Sequence, residues 1–280
     1  MRLRISEIFA CVQGEGVTIG TPSAFVRLQG CSVGCSWCDT KYSWASTGGR
    51  EMTLDAVLAE VASTGLENVV VTGGEPLEHP GFVDVVDALK GAGRRIEVET
   101  AGTQLPPSAA VDQWNVSLKL AHSGVAAKVR LRADAIAAFQ DRNAWFKFVV
   151  ATERDVDEVL EIQTAHRLAS SRILLMPLGM RREEQQARMS AVIEWCRRHG
   201  FRSRRAYTSW SGGPSAASRM SRNPATRRPG CAACRRLRVP SRPLAWELPP
   251  REVHPNRYSS GAEVSAVRPH PATGQRPSEP

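Results

Sequence analysis

The segment AFVRLQGCSVGCSWCDT, Ala24 to Thr40, runs from an apolar, strand-like stretch into a loop carrying Cys31, Cys35 and Cys38. Ser32, Gly34 and Ser36 between the cysteines mark a loop rather than core. Thiolates are soft ligands that suit zinc or an iron–sulfur cluster. Structural zinc takes four protein ligands, and the nearest further Cys or His residues, Cys11 and His79, are distant in sequence. Three thiolates leave one iron of a cubane cluster open to another ligand. A zinc knuckle completed by a remote side chain is the competing reading.

Outward from this loop, β-branched runs alternate with amphipathic segments. Strands are expected at Ala24–Leu28, Asn68–Thr72, Arg95–Thr100, Trp114–Leu118, Trp145–Ala151 and Arg172–Met176. Helices are expected at Thr53–Ser63, Phe82–Gly91, Ala133–Gln140, Glu153–Leu168 and Arg182–His199, with Thr53 as an N-cap and Gly91 and Gly200 at C-caps. Alternating strands and helices imply βαβ units and a mostly parallel sheet. About six strands are too few for a closed eight-stranded barrel, so the expected fold is α/β, a partial parallel barrel. Chemistry gathers at the C-terminal strand ends of such folds. There lie the cysteines, Gly73-Gly74-Glu75-Pro76, Glu99-Thr100 and Ser117 to Lys119.

The chain has 280 residues and a net charge of +9. Residues 201–280 hold 15 Arg, no Lys and 4 acidic residues, so the basic character belongs to that stretch alone and a nucleic-acid surface on the folded part is not expected. No apolar run is long enough for a membrane span. The N-terminal residues lack the apolar core of a secretion signal, so a cytoplasmic location without membrane association is expected. Seven cysteines in such a chain do not suggest a disulfide framework. Cys11 reads as a loop thiol, Cys196 as core, and His79 and His122 as surface or loop residues. Cys231 and Cys234 lie in a biased tail that offers no convincing metal site.

Cys-x3-Cys-x2-Cys, with Trp37 before the last cysteine, resembles the loop of the radical S-adenosylmethionine superfamily. Gly73-Gly74-Glu75-Pro76 is similar to that superfamily's second motif. Glu7-Ile8-Phe9, Val12-Gln13-Gly14-Glu15-Gly16, Phe25-Val26-Arg27-Leu28, Cys38-Asp39-Thr40, Glu99-Thr100-Ala101-Gly102-Thr103 and Ser117-Leu118-Lys119 together resemble the 7-carboxy-7-deazaguanine synthases over about residues 1–200. The resemblance implies a lyase that contracts 6-carboxy-5,6,7,8-tetrahydropterin to 7-carboxy-7-deazaguanine with loss of ammonia, on the route to queuosine and other 7-deazapurines. It implies a [4Fe–4S] cluster on Cys31, Cys35 and Cys38, and a deoxyadenosyl radical from S-adenosylmethionine that abstracts a substrate hydrogen. Trp37, Asp39, Gly74, Glu75, Glu99, Ser117, Leu118 and Lys119 would contact that cofactor. Val12, Gln13, Gly14, Arg27 and Thr72 would hold the pterin, with Arg27 on its carboxylate, and Thr40 would ligate Mg2+. Met176 to Gly179 would also line the site. Reduced flavodoxin or ferredoxin would donate electrons, and a homodimer is expected.

The resemblance stops near Phe201-Arg202. Relatives end soon afterwards in a strand patterned SPR-x-H-x-L-x-W-G. One extra nucleotide before Ser203 lets GC-rich codons for SRRAYTSWSGG read LAPR[LI]HILVWG. The expected domains are therefore 1–202, the radical S-adenosylmethionine domain, and 203–280, a disordered or out-of-frame Arg/Pro-rich tail. An activase of a glycyl-radical enzyme is one rival reading. A non-enzymatic iron–sulfur or zinc protein is another.

Overall fold

The computed structural model describes residues 2–203. Those residues contain a nine-stranded sheet ordered β3-β1-β2-β4-β5-β6-β7-β8-β9. The strands are β1 (Arg2–Val12), β2 (Pro22–Leu28), β3 (Arg50–Thr53), β4 (Asn68–Gly73), β5 (Arg95–Thr100), β6 (Gln113–Val116), β7 (Trp145–Val150), β8 (Ile173–Pro177) and β9 (Arg202–Ser203). From β2 to β9 each neighbouring pair is parallel. β1 lies antiparallel to both β2 and β3. The helices are α1 (Leu54–Ser63), α2 (Phe82–Gly91), α3 (Ala127–Arg130), α4 (Ala133–Gln140), α5 (Glu153–His166) and α6 (Arg182–His199). None of them is long and apolar enough to cross a membrane.

The parallel α/β architecture agrees with the reading of the sequence, and three further strands join the six expected ones. β1 runs where no strand was expected, so Cys11 is a strand residue rather than a loop thiol. A register shift between Ile5 and Glu7 breaks the alternation of β1. Leu3 and Ile5 are buried, but the next buried apolar residue is Ile8, which conceals the strand period. His79 is buried rather than at the surface: its ring nitrogens lie 3.3 Å from Arg4 N and 3.0 Å from Gly81 N. Gly91 ends α2 but does not cap it. The left-handed turn falls to Gly93, at φ 76°.

Local chemistry explains the helix ends. Thr53 Oγ1 accepts from Ala56 N at 3.2 Å, which satisfies one of the free amides of α1. Asp155 reaches back to accept from the amides of Ala151 and Thr152 at the start of α5. Gly200 closes α6 at φ 71°, a conformation that costs glycine little.

The two faces of the sheet differ. One carries Val26, Val69, Val71, Ile96, Val98, Val116, Phe148 and Leu175 into a core shared with Val57, Val85, Ile136, Phe139, Val159 and Val192 of the helices. Alternation sends the other residues to the inner face. There Phe9 stacks on Phe25 with ring centroids 4.9 Å apart, and Val70 joins them as an apolar patch. Val149 and Met176 form a second apolar patch, and between the two lie polar residues: Arg27, Thr72, Glu97, Glu99, Asn115 and Lys147. Burying such groups is costly unless each finds a partner, so this face marks the place to look for a site.

Candidate active site

A cavity of about 320 Å3 opens on the inner face, and most of the proposed site residues line it. This lies within the range of small-molecule pockets, roughly 300–1,000 Å3. Cys31, Cys35 and Cys38 enter it from the loop after β2. That loop is tied at its base, where Gly30 N and Cys31 N donate to Ser43 O and Trp44 O at 2.8 and 3.0 Å. Ser32 donates through N and Oγ to Glu78 at 2.8 and 2.6 Å. The loop also presses against the turn after β4. A Cβ added to Gly74 would sit 2.4 Å from Gly30 O and 2.5 Å from Cys31 Cβ, so a side chain there would displace the loop.

The sulfur chemistry fits a cluster. Cys38 Sγ accepts from Trp44 Nε1 at 3.3 Å and from Thr40 N at 3.4 Å, donors that favour a negative sulfur. Burial pushes the Cys31 and Cys35 thiols up, so ligation there would release protons. Among the described residues no three His, Cys, Asp or Glu side chains converge on a position for one metal ion.

On one side of the loop Trp37 packs with Val149, Met176 and Leu178. Trp37 stacks on His122, with centroids 5.7 Å apart, and Lys119 Nζ lies 5.6 Å from the indole centroid. Its Nε1 is buried with no hydrogen-bond partner among the described residues. Lys119 Nζ donates to Ser117 Oγ at 2.9 Å. Asp39, Gly74 and Glu99 also line the cavity, and so do Met176, Pro177, Leu178 and Gly179. Two of the proposed cofactor contacts stand elsewhere. Leu118 points its side chain into the main core. Glu75 is buried behind the lining, where its carboxylate accepts from Thr100 Oγ1 at 2.5 Å, Ala101 N at 2.7 Å and Leu77 N at 3.2 Å. In this placement Glu75 ties the ends of β4 and β5 together.

On the other side lie Val12, Gln13, Arg27, Thr40 and Thr72. Gly14 is buried beside them but does not line the cavity. Arg27 Nε donates to Glu7 Oε1 at 2.8 Å and Nη1 to Gly73 O at 3.2 Å. Tyr42 donates to the same Glu7 oxygen at 2.7 Å. Arg27 Nη2 has no partner among the described residues. The Gln13 side-chain amide donates to Glu97 Oε1 at 2.7 Å, its backbone N donates to Thr21 O at 2.7 Å and its carbonyl accepts from Gly20 N at 2.9 Å. Thr40 Oγ1 lies 3.5 Å from Cys38 Sγ.

The reading of the sequence overlooked the charges deeper in. Lys147 of β7 donates to Glu15 Oε2 and, at 3.0 Å, to Glu99 Oε2. Burial works against the ammonium, but the two carboxylates overcome it and raise the pKa above its ordinary value. Burial also opposes ionisation of Glu15, whose pKa Lys147 nevertheless pulls down. For Glu99 burial prevails over Lys147, and the negative charges of Glu15 and Glu97 add to it, so its pKa is raised to about 7. A lone lysine within the otherwise apolar run WFKFVV was the available signal for this cluster.

A model of the radical SAM superfamily matches residues 25–132. The 7-carboxy-7-deazaguanine synthase of Pyrobaculum aerophilum is 39% identical over 209 residues, covering 72% of this chain and 90% of that protein. The protein of the same name from Halobacterium salinarum is 36% identical over 224 residues, covering 71% and 86%. Among solved structures, QueE from Escherichia coli superposes with a TM-score of 0.59 at 28% identity, covering 73% of this chain and 94% of that one.

The position of Glu99 makes a claim about stability. Its ordinary carboxylate value is 4.5 and its folded value about 7. Between them the native state keeps a proton that the unfolded chain releases, so this contribution is full below the lower value and is lost as pH rises through the upper one. Urea midpoints of the cluster-free protein should therefore fall more steeply between about pH 5 and pH 7.5 than those of Glu99→Gln. Parallel profiles for the two proteins would remove the assignment.

Proposed function

The chain belongs to the 7-carboxy-7-deazaguanine synthases, and on that premise we propose how its strand-end cavity divides the work of this radical S-adenosylmethionine lyase. The reaction contracts the ring of a carboxylated tetrahydropterin. The supporting observation is that one cavity gathers the three loop cysteines, the Trp37–Lys119 side and the Arg27–Thr72 side. A glycyl-radical activase would share the cysteines, but it is not favoured, because the relatives carry the synthase name along most of their length.

Cys31, Cys35 and Cys38 would hold the [4Fe–4S] cluster. With S-adenosylmethionine bound beside it, that centre supplies reductive sulfonium cleavage and hydrogen-atom abstraction. Trp37 offers a face for the adenosyl group and Lys119 a cation above it. Ser117, the backbone at Leu118, Asp39 and Gly74 complete that side, and Glu99 can accept from ribose hydroxyls. Glu75 acts from behind by fixing the turn that carries Gly74. Arg27, oriented by Glu7, presents a guanidinium to the substrate carboxylate, while the Val12-Gln13-Gly14 segment and Thr72 bind the pterin. Thr40 would supply a hydroxyl to Mg2+, a hard ion suited to oxygen ligands. Reduced flavodoxin or ferredoxin as donor, a homodimer and a cytoplasmic location complete the reading.

Residues 204–280 lie outside the described part of the structure. We read residues from about 203 onward as the product of a shifted frame. In support, β9 pairs Arg202 with Leu174 and Ser203 with Leu175, so the chain is entering the sheet edge where the frame change is inferred.

Three sets of experiments test these assignments. Anaerobic reconstitution should give about four irons per chain, lost in Cys31→Ala, Cys35→Ala or Cys38→Ala and kept in Cys11→Ala, Cys231→Ala and Cys234→Ala. The reconstituted protein should release 5′-deoxyadenosine in the presence of the tetrahydropterin. Tight zinc binding without iron would defeat the reading. Thr40→Val should leave the cluster intact while lowering turnover and flattening its Mg2+ dependence, and an unchanged Mg2+ response would take Thr40 out of the site. Resequencing codon 203 should reveal a missing base, and the frame-restored protein should melt higher and turn over faster than the chain as given. An intact reading frame would end that proposal.

A further inference from the structure

Lys147 lines the cavity from the middle of β7. It carries a full charge, its side chain is 5% exposed, and it joins two segments with different tasks. Glu15 stands on the loop that presents Gln13 and Gly14, the segment read as meeting the pterin. Glu99 stands at the end of β5, on the side read as meeting the cofactor. One ammonium bridges both carboxylates, across 132 residues of sequence to Glu15 and 48 to Glu99.

A buried ion bridge contributes little net stability, because desolvation offsets its attraction. Its chief effect is on geometry: each carboxylate restricts where the ammonium can sit, and the ammonium restricts the other carboxylate. The backbone of Glu15 is held by Gln13, whose Oε1 accepts from Glu15 N at 3.1 Å, while its carboxylate goes to Lys147. The loop amide of Gln13 and the hydroxyl of Thr18 are both committed to Glu97, at 2.7 and 2.6 Å. Asn115 Nδ2 donates to Glu97 at 2.6 Å and to Glu99 at 2.9 Å, so the cofactor-side carboxylate is braced from the sheet as well.

We propose that Lys147 is a positioning residue that makes binding of S-adenosylmethionine and of the tetrahydropterin cooperative, through the Glu15–Lys147–Glu99 bridge. This rests on the reading that Glu99 faces the cofactor and that the Gln13 loop faces the substrate. When ribose hydroxyls engage Glu99, its carboxylate is fixed, Lys147 is fixed with it, and the Glu15 carboxylate is held where it lines the substrate side of the cavity. The second ligand then pays less of the cost of ordering these side chains. Linkage requires the effect to be reciprocal, so the pterin must tighten the cofactor by the same factor.

The test is made on the reconstituted full chain by anaerobic equilibrium dialysis. The dissociation constant of S-adenosylmethionine is measured with and without saturating 6-carboxy-5,6,7,8-tetrahydropterin, and the converse titration checks reciprocity. The natural chain should show coupling of at least about five-fold. Lys147→Met and Glu15→Gln should each bring it below about two-fold, while Lys147→Arg, which keeps the charge, should recover a measurable part. Glu15→Gln leaves the Lys147–Glu99 pair intact and decides the matter if Lys147→Met does not fold. Coupling of natural size in a folded Glu15→Gln or Lys147→Met, or no coupling in the natural chain, would overturn the proposal while leaving the substrate reading in place. Failure of the natural chain to bind the tetrahydropterin at all would overturn both.

Discussion

Glu97 has no exposed surface, and the arrangement of the inner face follows from that. A carboxylate taken wholly out of water must be met from every side. Gln13 and Asn115 donate to one oxygen, Thr18 donates to the other, and Arg95 stands 3.5 Å away. These contacts draw the segment after β1 down onto the ends of β5 and β6. Gly16 allows the approach, since a Cβ there would lie 3.1 Å from the Asn115 side chain. With that segment pinned, the cavity has a second wall, and Glu15 is brought within reach of Lys147. The wall is therefore built from polar groups answering polar groups, while the opposite face of the same strands is held by ordinary apolar burial.

What could be read from the sequence separates along the same line. The helix-facing side follows periodicity, and α2, α4 and α6 begin and end where their amphipathic patterns do. Six of the seven parallel strands are short runs between turns and were found to within a few residues; β9, with two residues, was not. β1 was not, because its bulge reverses the in-out pattern midway. β3 has four residues, two of them charged, and α3 has four, too few for any period to show. The cysteine loop and Arg27 were legible as chemistry because their residue types are uncommon in such places. Lys147 was not, since its meaning depends on partners that only the fold brings near.

The glutamate after Gly73-Gly74 shows how a motif residue can serve a site from outside it. Its carboxylate takes the hydroxyl of Thr100 and two backbone amides, which joins the ends of two neighbouring strands. Its own amide donates to Gly30 O at 2.9 Å, at the root of the cysteine loop. Strand ends, loop root and cavity floor are thus one hydrogen-bonded piece. A short polar motif can be required here for holding three backbones in register, whatever its side chain does toward a ligand.

The long reach of the ion bridge also has a meaning for biosynthesis. Glu15 leaves the ribosome 132 residues ahead of Lys147. A nascent chain that has made the cysteine loop, and even β5 and β6, still has two acidic groups facing an unfinished wall. Translation order therefore makes the cysteine loop well before Lys147 and Val149 of β7 and Met176 and Pro177 of β8, which line the finished cavity.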